Sequence, residues 1–184
     1  MSEIPAYLLI DGENIDMTLG QMILNGRPRP DQRPRWERVM RMVEERWQRP
    51  AKGLFFINGS RGLPWPFITA LRSIGLTPIP LGGTPEQKVV DIGILRTLEA
   101  LRERPGDVML VSHDKDFAAA MHLLVSPERR LGLLAFEEYI AGELREIPGL
   151  EILDLEYHAG AFESGPLPRL RVIPIDEFDP NRYL

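Results

Sequence analysis

The chain has 184 residues, the size of one ordinary domain. With 43% apolar and 27% charged residues it has a globular balance, which excludes wholesale disorder. It holds no cysteine, so disulfides, thiolate metal sites and thiol nucleophiles are excluded. The net charge of −5 argues against a protein that coats nucleic acid, but the charge is unevenly spread. From Arg27 to Arg49 there are eight arginines and four acids, so this stretch carries +4 and the remainder −9. No apolar run reaches the roughly 20 residues of a membrane helix. The start of the chain, MSEIPAYLLIDGEN, has no basic segment ahead of its short apolar run, so no leader is expected. These features fit a cytoplasmic protein with no membrane partner.

Short apolar runs alternate with longer amphipathic ones. Ala6–Ile10 reads as a buried strand ending at Asp11-Gly12, followed by a helix within 14–24 that Asn25-Gly26 stops. Residues 26–34 are rich in arginine and proline and read as loop. Trp36, Val39, Met40, Val43 and Trp47 recur at helical spacing before Pro50. Leu54–Ile57 is a second strand, residues 64–73 a helix and Leu76–Pro80 a third strand. Thr84-Pro85-Glu86-Gln87 has the form of an N-capped helix start, with the helix running to about Arg104. Asp107–Val111, Arg130–Leu134 and Glu151–Leu155 read as strands, with helices over 116–125 and 136–145. Strands separated by helices imply βαβ units, a mostly parallel sheet of five or six strands and helices on both faces. The domain covers 1–156. Residues 157–184 lose the alternation and form a tail that can dock on it.

In such a sheet, ligands bind outside the carboxyl ends of the strands. Those ends are acidic here. The first strand ends at Asp11, with Glu13, Asn14 and Asp16 following. The fourth ends in Ser112-His113-Asp114-Lys115-Asp116. Asp91 enters from the capped helix, where Lys88, Asp91, Leu95 and Leu98 share one face, which points Lys88 and Asp91 inward. Several carboxylates on one rim require raised pKa values or a cation among them. Aspartate oxygens suit a hard ion, Mg²⁺ or Mn²⁺. Taken singly, Asp114 and Asp116 would be helix caps and Asp11 a turn residue. Taken together they favour a metal site for phosphoryl chemistry.

Three segments then resemble the motifs of the NYN domain, a branch of the PIN-like nucleases. They are Ile10-Asp-Gly-Glu-Asn14, Lys88-Val-Val-Asp91 and Val111-Ser-His-Asp-Lys-Asp-Phe117, within a similarity spanning about residues 6–155. The resemblance implies a Rossmann-like α/β/α sandwich of the PIN type and a Mg²⁺- or Mn²⁺-dependent ribonuclease. It implies that Asp11, Asp91, Asp114 and Asp116 hold metal. Asn14 would contact substrate or a metal-bound water, and Ser112 would orient a carboxylate. Two positions depart from the family, His113 and Val89, where it has glycine; neither removes a ligand. His113 reads as a partly exposed loop histidine, with contact to substrate as the alternative.

The implied partner is RNA, with DNA as the other polymer, and a homodimer is the default assembly. Substrate would be held by Lys88, by Arg61, and by the loop arginines Arg27, Arg29 and Arg33, set between prolines. Lys88 has the alternative of pairing with Asp91. Trp65 reads as a structural cap on the sheet, with base stacking as the alternative. Met22, Met40, Met42, Met109 and Met121 read as core or half-buried filling, and His122 as a packing residue. The competing function is a PIN-like module that binds RNA or protein without cutting. A dehalogenase-type phosphatase would need Asp-x-Asp where Asp11-Gly-Glu13 stands, and a dinucleotide fold would need a glycine fingerprint there; both are missing.

Overall fold

A computed structural model describes residues 4–163 and 165–184. Residues 1–3, on which the absence of a leader was partly read, lie outside them, as does Ser164 of the tail loop. Six strands form one sheet in the order β3-β2-β1-β4-β5-β6, every pair parallel. They are β1 (Ala6–Asp11), β2 (Ala51–Asn58), β3 (Thr77–Leu81), β4 (Asp107–Val111), β5 (Leu131–Ala135) and β6 (Leu150–Asp154). The helices are α1 (Gly12–Thr18), α2 (Trp36–Trp47), α3 (Trp65–Ser73), α4 (Val89–Leu101), α5 (Ala118–His122) and α6 (Gly142–Arg145). The expected Rossmann-like α/β/α sandwich is therefore present. Among the described residues no helix is long and apolar enough to cross a membrane.

The strand period of two sorts the core into two layers. On one face Leu8, Ile10, Met109 and Val111 pack with Val39, Val43 and Trp47 of α2. On the other, Leu9, Val108 and Leu110 pack with Ile94 and Leu98 of α4 and Met121 of α5. At roughly 25 cal/mol per Å² of apolar surface removed from water, these layers supply the main stabilisation of the sheet. The Trp36–Trp47 stripe is buried as its spacing requires. Gly12 lets α1 begin directly at the end of β1, because a Cβ there would stand 2.3 Å from Phe55 Cζ. The second half of the first helix widens into a π-helix over Leu19–Leu24 and ends at Asn25, whose φ of 54° is left-handed.

Three expectations need correction. Thr84–Gln87 is a closed turn and caps no helix: Gln87 N donates to Thr84 O at 3.0 Å and Thr84 N donates to Gln87 Oε1 at 2.9 Å. Both groups of Gln87 return to Thr84, so the helix starts afresh at Val89 and ends at Leu101. Its buried stripe is Val90, Ile94, Leu98 and Leu101, which leaves Lys88 outside. The expected helices over 116–125 and 136–145 are each a 3₁₀ turn and a short α-helix, α5 and α6 being only five and four residues long. In the second case Glu137 N turns to Asp154 Oδ2 at 3.0 Å, which takes the backbone off a helical path.

The tail docks on the domain. Ala159, Ala161 and Leu167 are buried in the first layer, and Arg35 N donates to Ala161 O at 2.7 Å. The Arg169 guanidinium reaches Asp154 Oδ2 at 2.6 Å and also pairs with Glu138. It lies over the rings of Phe136 and Tyr157, at 5.0 and 5.3 Å from their centroids.

Candidate active site

The strand order reverses between β1 and β4, and the crevice at that switch point is where the carboxyl ends of a parallel sheet take ligands. Ile10 lies opposite Val111, so the residues that follow, Asp11 and Ser112, meet at the rim. Ser112 Oγ donates to Asp11 Oδ2 at 2.9 Å and accepts from Asp114 N at 3.1 Å. Asn14 N points to Asp11 Oδ1 at 3.4 Å, and Asp116 N donates to Asp114 Oδ1 at 2.9 Å. Each motif thus folds on its own hydrogen bonds, and Ser112 ties the two together.

Asp11, Asn14, Asp91 and Asp114 line one cavity of about 340 Å³, with Glu13, Asn58, Gln87 and Lys88 around it. Asp11 is only 3% exposed. Burial pushes its carboxyl from 3.8 up to about 6; the Ser112 and Asn14 hydrogen bonds oppose this, and the charges of Asp91 and Asp114 add to it. The Asp91 carboxyl is raised as well, by burial first and then by Asp114, with Lys88 opposing. Lys88 is the one cation among the described residues lining the cavity, yet its side chain is 76% exposed and stands 4.0 Å from Asp91 Oδ2. Its inward orientation is therefore not observed; the fresh helix start at Val89 leaves it at the edge, beside Asp91.

The structure brings Asp11, Asp91, Asp114, Asn14 and Ser112 together, as the motifs required. Asp116 is different: its backbone N–H braces Asp114 while its own side chain is exposed and does not line the cavity. Among the described residues no three His, Asp or Glu side chains stand in an ion-holding group. The carboxylates share a cavity but repel one another: the charges of Asp91 and Asp114 add to the rise of Asp11, and those of Asp114 and Asp116 to the rise of Asp91. Carboxylate oxygens are the donor type of a hard divalent cation, and Asp11, Asp91 and Asp114 would have to draw closer together to hold one.

The basic residues divide. Arg33 Nε pairs with Asp16 at 2.9 Å and Arg29 with Asp31 at 3.1 Å. Arg27 and Arg33 border a groove of about 770 Å³ that also contains Glu13 and Met17, two residues shared with the acidic cavity. Arg61 is exposed on the loop after β2. Trp65 does not cap the sheet: it opens α3 and is 62% exposed. Met22 and His122 are likewise exposed instead of packed.

His113 is the residue the sequence placed least well. It is buried, not partly exposed, at 7%. Its ring nitrogens contact Asn14, Thr18 and Phe136, and the ring stacks on Phe136 with centroids 5.7 Å apart. Burial lowers its pKa to about 4, so it is neutral at pH 7. The missed signal was Phe136, which offers a ring for the histidine to lie against one strand away from β4.

No family model and no curated protein matches this sequence. Among solved structures, the chain is similar to the crystal structure of a protein of unknown function from Vibrio parahaemolyticus. The TM-score is 0.64 at 13% identity, over 83% of this chain and 93% of that one. At that identity the likeness shows a shared α/β/α sandwich fold.

Proposed function

We propose that the chain is a divalent-metal-dependent nuclease that hydrolyses phosphodiester bonds of RNA at the Asp11, Asp91 and Asp114 cavity. The observation that carries this is Asp11. It is a nearly buried carboxylate at the switch-point crevice, faced by two more acids, while Lys88, the one cation among the described residues lining the cavity, is largely exposed. A protein that needed this carboxylate only for its fold would give it a partner of opposite charge. The NYN-like motifs supply the reaction class, and Mg²⁺ or Mn²⁺ supplies the chemistry when bound: activation of water and stabilisation of the leaving oxygen. The chain's own residues do the positioning. Ser112 braces Asp11 through Oδ2, while the Asn14 N–H meets Oδ1 at 3.4 Å. The Asp116 N–H braces Asp114 through Oδ1. Lys88, exposed at the rim beside Asp91, can meet a phosphate that enters from solvent.

The test is incubation of labelled RNA and DNA oligonucleotides with Mn²⁺, Mg²⁺ or EDTA. Cleavage of RNA that needs the ion and vanishes in Asp11→Asn and Asp114→Asn is expected. Cleavage that survives either substitution removes the site. Binding of RNA without cleavage in any metal would make the chain a non-cutting module.

A further inference from the structure

Two backbone N–H groups fix the side chains behind the acidic cavity. A backbone N–H can only donate. The Asn14 atom 2.8 Å from His113 N is therefore its carbonyl oxygen, Oδ1. By the same rule, the His113 atom 2.8 Å from Phe136 N is an accepting ring nitrogen. Nε2 thus carries no hydrogen, and the neutral ring carries it on Nδ1. Nδ1 stands 3.0 Å from Asn14 Oδ1 and 3.3 Å from Thr18 Oγ1, so its hydrogen faces these oxygens. Asn14 Oδ1 receives two donors from one residue. Turning the amide over would set its NH₂ against both of them. Asn14 also lines the acidic cavity, so with Oδ1 engaged its NH₂ is the group left for that cavity.

We propose, on the nuclease reading above, that His113 is a positioning residue. It locks the Asn14 carboxamide with its NH₂ toward the cavity, giving the site a fixed donor for a phosphodiester oxygen. The need is plain from the surroundings. Asp11, Glu13, Asp91 and Asp114 all present acceptors, and a carbonyl from Asn14 would add another against an anionic substrate. The ring is well held for the task. Phe136, on which it stacks, stacks in turn on Phe162 at 5.8 Å and lies under Arg169. The docked tail thereby supports the rim from behind. A glycine at position 113 would keep the backbone donor and lose the second one.

The test separates the two nitrogens of the ring. His113→Asn can place an NH₂ near the Nδ1 position. His113→Gln can place an acceptor for Phe136 N near Nε2 but no donor on Asn14. In the metal-free protein, long-range proton–nitrogen NMR should show His113 as the Nδ1–H tautomer; an Nε2–H tautomer overturns the proposal. The Asn14 side-chain amide resonances, identified by their loss in Asn14→Ala, should shift in His113→Gln and return toward wild type in His113→Asn. An Asn14 amide indifferent to His113→Gln overturns it. With Mn²⁺ and RNA, Asn14→Ala and His113→Gln should each lower kcat by about 10–100-fold, and the double variant no further. Multiplying losses overturn it. A wild type that cuts neither RNA nor DNA removes the nuclease reading, whereas the NMR measurements need no turnover and still sustain or overturn the lock.

Discussion

Two aspartates end strands of the same sheet and are equally hidden, Asp11 on β1 at 3% exposure and Asp154 on β6 at 0%. Their electrostatics are opposite. Burial alone would raise both. At Asp154 the Arg169 guanidinium, together with the backbone N–H groups of Glu137 and Tyr157, more than offsets burial and holds the carboxyl below its ordinary value. Arg169, in turn, is held above its own ordinary value by Asp154 and Glu138 against its burial. At Asp11 the neighbours are acids, and the carboxyl rises to about 6. The β6 end is a closed ion cluster that fastens the tail. The β1 end gathers acids in one cavity, with Lys88 exposed at its edge beside Asp91. On the function proposed above, the contrast separates a structural carboxylate from one kept for a ligand, although residue type, burial and place in the sheet are the same.

The comparison breaks most sharply at Arg169. Arg169→Met strands Asp154 as a buried, uncompensated charge, and the expected loss is about 3–5 kcal/mol in chemical denaturation at pH 7. A loss below about 1 kcal/mol would mean that water reaches Asp154 and the cluster is not closed. Acidification should expose the same difference. The contribution of Asp154 is complete above its ordinary pKa of 3.8 and fades only as pH falls through its lowered folded value.

Asp11 should behave in reverse. Its folded pKa is raised from 3.8 to about 6, so the folded state binds the proton more tightly across that interval. Stability from this group is complete below pH 4 and is lost as pH rises through 6. Asp11→Asn should therefore be more stable than wild type by up to about 3 kcal/mol at pH 7 in EDTA, and the gap should close by pH 4. Urea melts across this range read both limbs. A variant less stable than wild type at pH 7 would show that the Ser112 hydrogen bond outweighs burial.

A divalent ion should erase that penalty. Mn²⁺ at a hundred times its dissociation constant adds about 2.7 kcal/mol to any fold that alone binds it. Thermal melts should rise with Mn²⁺ in wild type and far less in Asp11→Asn, while melts of Arg169→Met should respond like wild type. Equal shifts in all three would place the ion elsewhere.

The smallest effect concerns the arginine-rich stretch. Arg27 and Arg33 both border the groove that adjoins the cavity, but Arg33 is engaged by Asp16, as Arg29 is by Asp31. Arg27→Ala should flatten the slope of log affinity against log salt by about 0.7 for single-stranded RNA, one phosphate contact. Arg29→Ala and Arg33→Ala should change it less, because each removal also frees an acid. A triple variant with an unchanged slope would move the search to Arg61, Trp65 and Lys88.

The sequence alone determined whatever depends on local pattern. Apolar runs such as Ala6–Ile10 and Asp107–Val111 declared buried strands, and their alternation with helices imposed parallel pairing. The carboxyl ends of β1 and β4 carry their acids in the sequence itself, so Asp11, Ser112 and Asp114 could be placed on one rim before any coordinates. What the pattern could not carry was decided between segments far apart in the chain. Thr84–Gln87 has every local mark of a helix cap, yet helix α4 waits for Val89, where Val90, Ile94 and Leu98 can reach the core together. His113 looks like an exposed loop residue until Phe136 and Asn14 close around it. Asp154 and Arg169 give no sign of each other across fifteen residues, though they form a fully buried ion pair at 2.6 Å. Strand and helix periods are written residue by residue, but the field at a buried charge is the sum over its neighbours in space. Only the folded chain fixes which neighbours those are.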